Sequence, residues 1–158
     1  IIMNWQTTHP YLHAMGIPLW HMRKTLAYRC YALGDAQGIT RGGLLVDNSV
    51  DINGYQDEVE SLLDAMLQAI HVRRYLLPQV TEFSFAMYLV MGEALAQFIA
   101  QSSAPLTELR EQVLYLTGKQ IPVIATYHPI DLLRQPANKR NAWLDLQQAA
   151  RLWASANG

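Results

Sequence analysis

The feature that most constrains the fold is the alternation of short apolar runs with longer segments of helical periodicity. Residues 85–91 and 121–127 form largely apolar runs of strand length, which is typical of strands covered on both faces. In residues 59–70 the apolar side chains recur at three- and four-residue intervals, the spacing of one helix face. Strands separated by helices in this way predict an α/β domain built around a parallel sheet.

The remaining predicted elements are two strands and three helices. The strands are 26–32 and 43–46, and the helices are 93–100, 131–134 and about 138–154, the last with Trp143 and Trp153 on one side. Together these elements predict a three-layer sandwich with a central, mostly parallel sheet of about four strands. We place this domain at residues 25–158 and treat residues 1–24 as a separate segment.

Composition limits the class of protein. Hydrophobic residues make up 51% of the 158 residues and charged residues 16%, a balance typical of one globular domain and too polar for a membrane span. The net charge of -1 gives no general affinity for nucleic-acid phosphates. Cys30 is the only cysteine, so no disulfide forms within the chain, and we expect a cytoplasmic protein without metal or cofactor.

The sequence of the opening segment, residues 1–24, predicts that it binds a partner. Its apolar residues recur at helical spacing, but Gly16 and Pro18 interrupt any continuous helix. The apolar side chains of Leu12, Ile17 and Trp20 therefore cannot all be buried on one regular face. An exposed apolar peptide of this kind suits ordering on a partner protein.

The C-terminal third of the chain resembles the uracil-DNA glycosylase family. The sequence reads ATYHP at 125–129, LLR at 132–134 and KRNAWLDL at 139–146. In that family a strand ends in Ala-Thr-Tyr-His-Pro, and a helix beginning with Lys-Arg-x-Ala-Trp-x-Asp-Leu follows. The resemblance implies a glycosylase-like fold for residues 25–158.

The same resemblance implies where vestigial site residues lie. His128 stands where the family's His contacts the uracil carbonyl of a flipped base, and Asp47 could orient a water molecule. Arg134, Lys139 and Arg140 could contact phosphate. The alternatives are that His128 caps its own loop, that Asp47 is a solvated loop acid and that the basic residues form a solvated helix start.

Several parts of the family's active site are missing from this sequence. Residues 46–51 lack the glycines that let backbone approach a ligand. Residues 72–82 contain no Asn to read the uracil edge, and Ile130 replaces the small residue usual after His-Pro. We therefore expect no catalytic residues.

A second resemblance accounts for these losses. Residues 11–23, YLHAMGIPLWHMR, look like the start of the psi-subunit family of DNA polymerase III, which is an inactive relative of the glycosylase fold. The partner-binding residues that this resemblance implies are Leu12, Gly16, Ile17, Leu19, Trp20 and Arg23.

The psi resemblance implies a non-catalytic adaptor that links the clamp-loader ATPase subunits to the chi subunit, and through chi and single-strand binding protein to single-stranded DNA. One alternative is a uracil-DNA glycosylase-type repair enzyme with a reduced active site. Another is a structural paralogue with some other partner.

Overall fold

The computed structural model describes residues 27–38, 40–76, 85–116 and 120–156, which form an α/β fold, as predicted. The strands are β1 (Tyr28–Gly34), β2 (Thr40–Asp47), β3 (Arg73–Leu76), β4 (Tyr88–Met91), β5 (Leu114–Tyr115) and β6 (Pro122–Thr126). The helices are α1 (Gln56–Ala69), α2 (Glu93–Ala100), α3 (Leu106–Leu109), α4 (Pro129–Arg134) and α5 (Lys139–Ala156). A 3-10 turn, Pro136–Asn138, joins α4 to α5.

The six strands form one mixed sheet in the order β3-β1-β2-β4-β6-β5. Its centre is parallel, since β2 pairs with β4 and β4 with β6 in that sense. The pairings of β1 with β2, β1 with β3 and β5 with β6 are antiparallel. The prediction of about four mostly parallel strands is thus corrected. Only five residues, 35–39, separate β1 from β2, and so short a connection can form a hairpin but not a crossover.

The apolar runs place the central elements to within a few residues. The run 85–91 supplies β4, all four residues of which are buried, and the run 121–127 supplies β6. The predicted strand 43–46 is the second half of β2. Strand β1 begins at Tyr28, and Leu26 of the predicted strand lies outside the described residues.

Helices pack on the sheet in two groups. Helix α1 contacts α4, α5 and β3, whereas α2 contacts α3, β2 and β4. The apolar stripe of α1 is buried at Val59, Leu63, Met66 and Leu67, as its spacing predicts. In α5 the expected apolar side is partly wrong because Trp143 is 40% exposed. In the described part of the chain, no helix combines the length and apolarity that crossing a membrane requires.

An ion-pair cluster fastens α1 to the edge of the sheet. Glu60 of α1 accepts from both Arg29 of β1 and Arg74 of β3, and Arg74 also bonds Asp64 at 2.8 Å. The Tyr31 ring lies beneath both guanidinium groups, at 5.8 and 5.1 Å. Burial alone would raise the pKa of Glu60, but the hydrogen bonds from the two arginines outweigh it and lower that pKa. Glu60 therefore remains ionised in the folded protein at neutral pH.

Candidate functional site

A cleft of about 630 Å³ opens at the carboxyl ends of the parallel strands. Because β2, β4 and β6 run in the same direction, their C-terminal loops meet at one edge of the sheet. Open α/β sheets bind ligands at such an edge. Both vestigial candidates lie at this edge: Asp47 is the last residue of β2, and His128 follows β6.

His128 is buried and serves as the N-cap of α4. Its side chain is 2% exposed, and its Nδ1 accepts a hydrogen bond of 3.1 Å from the backbone N–H of Ile130. Burial lowers the pKa of His128 to about 4, although the Asp47 carboxylate acts in the opposite direction. The neutral ring thus caps the start of α4.

Asp47 is a buried structural acid, and its interpretation as a solvated loop acid is wrong. The side chain is 1% exposed. Its Oδ1 accepts from the backbone N–H of Ser49 at 2.8 Å and from the Ser49 hydroxyl at 2.6 Å. Gly92, at the end of β4, covers it so closely that a Cβ at position 92 would lie 2.5 Å from the Asp47 Cβ. The close packing of Gly92 against Asp47 contributes to this burial.

The charge of the cleft is mainly acidic. Asp47, Glu93 and Asp131 line it, against the single cation Arg134 among its described lining residues. Burial raises the pKa of Asp131; Arg134 opposes this shift, while Glu93 and Asp47 add to it. Glu93 also accepts from the Leu106 backbone N–H at 2.9 Å. A lining of this sign repels a phosphate backbone.

The three basic residues expected at a phosphate site do not line one cavity. Arg134 lines the cleft and donates to the Asp51 carbonyl oxygen at 3.0 Å. Lys139 instead lines a separate groove between α1 and α5. Arg140 is exposed near the start of α5 and belongs to neither described lining.

A buried hydrogen-bonded contact between α5 and β6, which the sequence analysis missed, lies beside the cleft. The Asp145 carboxylate of α5 accepts from the Thr126 hydroxyl at 2.7 Å and from Arg110 Nε at 3.0 Å. The Arg110 guanidinium stands 5.8 Å from the Tyr127 ring centroid. Burial raises the pKa of Asp145, although the bonds from Arg110 and Thr126 act against this shift. The sequence did contain a signal for this contact, because Asp145 is an acidic residue on the apolar side of α5, between the buried residues Ala142 and Ala149.

The predicted partner-binding residues all lie outside the described residues; they are Leu12, Gly16, Ile17, Leu19, Trp20 and Arg23.

Within the described ranges, no three His, Cys, Asp or Glu side chains are arranged to hold a metal ion. Comparison of the chain with protein-family models, curated protein sequences and solved structures gives no significant match.

Proposed function

We propose that this chain is a non-catalytic adaptor of the bacterial DNA polymerase III clamp-loader complex, similar to the psi subunit. The observation that carries the proposal is the internal bonding of His128 and Asp47. These two residues are the vestigial-site candidates, and both are buried with protein partners.

Catalysis would require these groups to face a substrate. A His that stabilises a developing oxyanion must donate to it, and a general base must offer a free lone pair to water. Nδ1 of His128 accepts from the Ile130 N–H, and the ring is buried and is not among the described residues that line the cleft. The carboxylate of Asp47 is bonded to Ser49. These bonds favour a structural role for the pair.

The proposed fold is the glycosylase-like, three-layer sandwich expected from the sequence. The parallel order β2-β4-β6 and the two groups of helices support it. So does the position of the ATYHP motif, which ends β6 and leads into α4 and α5.

The proposed complex is cytoplasmic, and in it residues 1–24 bind the clamp-loader ATPase subunits. The folded domain, 25–158, binds the chi subunit and so reaches single-stranded DNA indirectly through single-strand binding protein. The acidic cleft supports this indirect route because its described lining contains three acids and one cation.

The proposal predicts that Trp20 anchors the opening segment on the clamp loader. Trp20→Ala should weaken binding to purified clamp-loader ATPase subunits by roughly 30-fold or more, since a Trp hot spot is worth about 2–4 kcal/mol. The melting temperature should remain nearly unchanged. Surface plasmon resonance and thermal unfolding of the full chain measure the two effects. Trp5→Ala is the matched control, because it removes a second Trp of the same segment outside the motif.

Two results would reject the adaptor. One is the absence of binding by the parent chain to both chi and the clamp-loader subunits. The other is uracil excision from single- or double-stranded DNA that His128→Ala abolishes, which would establish the repair enzyme instead. A steep fall in melting temperature with intact binding would make Trp20 a core residue.

A further inference from the structure

A small apolar groove lies between α1 and α5, on a different surface from the acidic cleft. Its volume is about 200 Å³. The principal apolar lining is Leu62, Ala65 and Met66 of α1 with Ala142, Trp143 and Leu146 of α5. Space of this size accommodates one large apolar side chain.

The groove is open to solvent and carries an exposed aromatic residue. Trp143 is 40% exposed, and Ala65 of the opposite wall is exposed as well. Leu144, the next residue of α5, is 49% exposed but does not line the groove. Trp residues are enriched among the side chains that dominate binding energies at protein interfaces.

Positive charge lies at one end of the groove. Lys139 lines it, and Arg140 follows in the first turn of α5. Neither forms an ion pair with any residue in the described part of the chain. The first turn of α5 contains no acid, so the partial positive charge of the helix N-terminus adds to that of the two side chains.

We propose that the groove binds an acidic amphipathic segment of a partner protein. One large apolar side chain of that segment fills the groove against Trp143, and neighbouring carboxylates pair with Lys139 and Arg140. This inference deepens the proposed adaptor function, on which it rests for its biological context, by assigning the folded domain its own binding surface.

Charge and shape argue against two other occupants. The opening segment, 1–24, contains no Asp or Glu, so it has no carboxylate to pair with Lys139 and Arg140. A nucleic acid would pair with the two cations but would leave the apolar walls at Met66 and Trp143 unfilled. Direct nucleic-acid binding also needs more than two phosphate contacts to be strong at physiological salt.

The test is a titration of the isotope-labelled full chain, followed by nuclear magnetic resonance. The probe is a synthetic, end-capped helical peptide of about 16 residues, matched to the length of α5, with Leu and Phe on one face and Glu beside them. We expect shifts at the Trp143 indole and at backbone amides of both helices. We also expect binding at least about tenfold tighter than that of the same peptide with Lys in place of Glu.

Surface variants identify the groups responsible. Trp143→Ala should weaken peptide binding about tenfold or more, whereas the matched control Leu144→Ala should leave it unchanged. The double variant Lys139→Glu with Arg140→Glu should remove the preference for the acidic peptide. Acids in the first turn stabilise a helix, so this loss would not reflect unfolding of α5.

The proposal is overturned if the acidic peptide causes no shift at these residues up to ~1 mM, or if the Lys peptide binds equally well. Shifts of the same residues by oligothymidylate would assign the groove to nucleic acid. Self-association that Trp143→Ala removes would assign it to a second copy of the chain. The titration needs neither chi nor the clamp loader, so failure of the adaptor proposal would leave its result unaffected.

Discussion

At the scale of single residues, the competition between burial and charge decides the state of His128. The nearby Asp47 carboxylate favours the protonated ring, but loss of hydration disfavours it more strongly, and the pKa falls to about 4. The ring is therefore neutral at physiological pH. Its Nδ1 lone pair can then accept the Ile130 N–H, a bond that the imidazolium ion could not form.

This state predicts a loss of stability in mild acid. Below the ordinary pKa of 6.5 the unfolded chain binds a proton at His128, whereas the folded chain binds it only near pH 4. The free energy of unfolding should therefore fall between pH 6.5 and pH 4, by on the order of 3 kcal/mol from this residue. Urea unfolding at several pH values measures the loss.

The control is His128→Asn, which keeps an N-cap acceptor for α4 but does not titrate. The difference between parent and variant isolates His128 from Asp131 and Asp145, whose raised pKa values favour the folded state as the pH falls. An identical acid dependence in the two proteins would show that His128 is not the group responsible.

At the scale of elements, the joint between β4 and α2 depends on one glycine. Gly92 has φ +124°, a conformation that L side chains rarely adopt, and its α-carbon faces Asp47 at the end of β2. Parallel strands β2 and β4 can therefore approach closely at the edge where the cleft opens.

Gly92→Ala should consequently destabilise the fold more than an alanine at another glycine of positive φ. Gly54 has φ +85° and no atom within 4 Å of the added Cβ. Gly54→Ala should cost about 1 kcal/mol of backbone strain, whereas Gly92→Ala adds a collision with Asp47 and should cost roughly 3 kcal/mol or more. Urea unfolding of both variants makes the comparison. Equal losses would mean that Asp47 moves aside without cost.

Prediction from sequence succeeds for an element whose residue pattern is sufficient to identify it without its neighbours. The apolar stripe of α1 and the run that gives β4 follow from local spacing alone. Strand β3 has the sequence RRYL, and the second of its two arginines, Arg74, forms ion pairs with Glu60 and Asp64 of α1. Its pairing with β1 is a long-range property that no local pattern reveals.

The same difference between local patterns and long-range contacts applies to the candidate site. The loops after β2 and β6 could be predicted as neighbours, because parallel strands end at one edge. The burial of Asp47 could not be predicted, because it involves the close approach of Gly92, which lies 45 positions further along the chain. The hairpin of β1 and β2 was missed because the predicted strands 26–32 and 43–46 leave ten residues between them, whereas the observed strands leave only five, 35–39.

At the scale of the whole molecule, one hydrophobic core includes residues of both helix groups and the central strands. Cys30 of β1 belongs to this core, and burial raises the pKa of its thiol to about 12. Since a thiol reacts as its thiolate, access to Cys30 reports the opening of the core.

We predict that Cys30 of the native protein reacts with an aromatic disulfide reagent at least about a thousandfold more slowly than that of the unfolded chain. In increasing urea, the reaction should accelerate in parallel with the loss of far-ultraviolet circular dichroism, as expected for a single cooperative transition. Cys30→Ser provides the blank. Rapid modification without urea would instead indicate local opening of β1.

The bonds of His128 also limit how this protein can change in evolution. Mutations that turned the ring out toward the cleft would remove the cap of α4 at the same step. A lineage that gained activity here would first need compensating substitutions that stabilise the start of α4. The exposed side chains of the groove between α1 and α5 cap no helix, so substitutions are more readily accepted there.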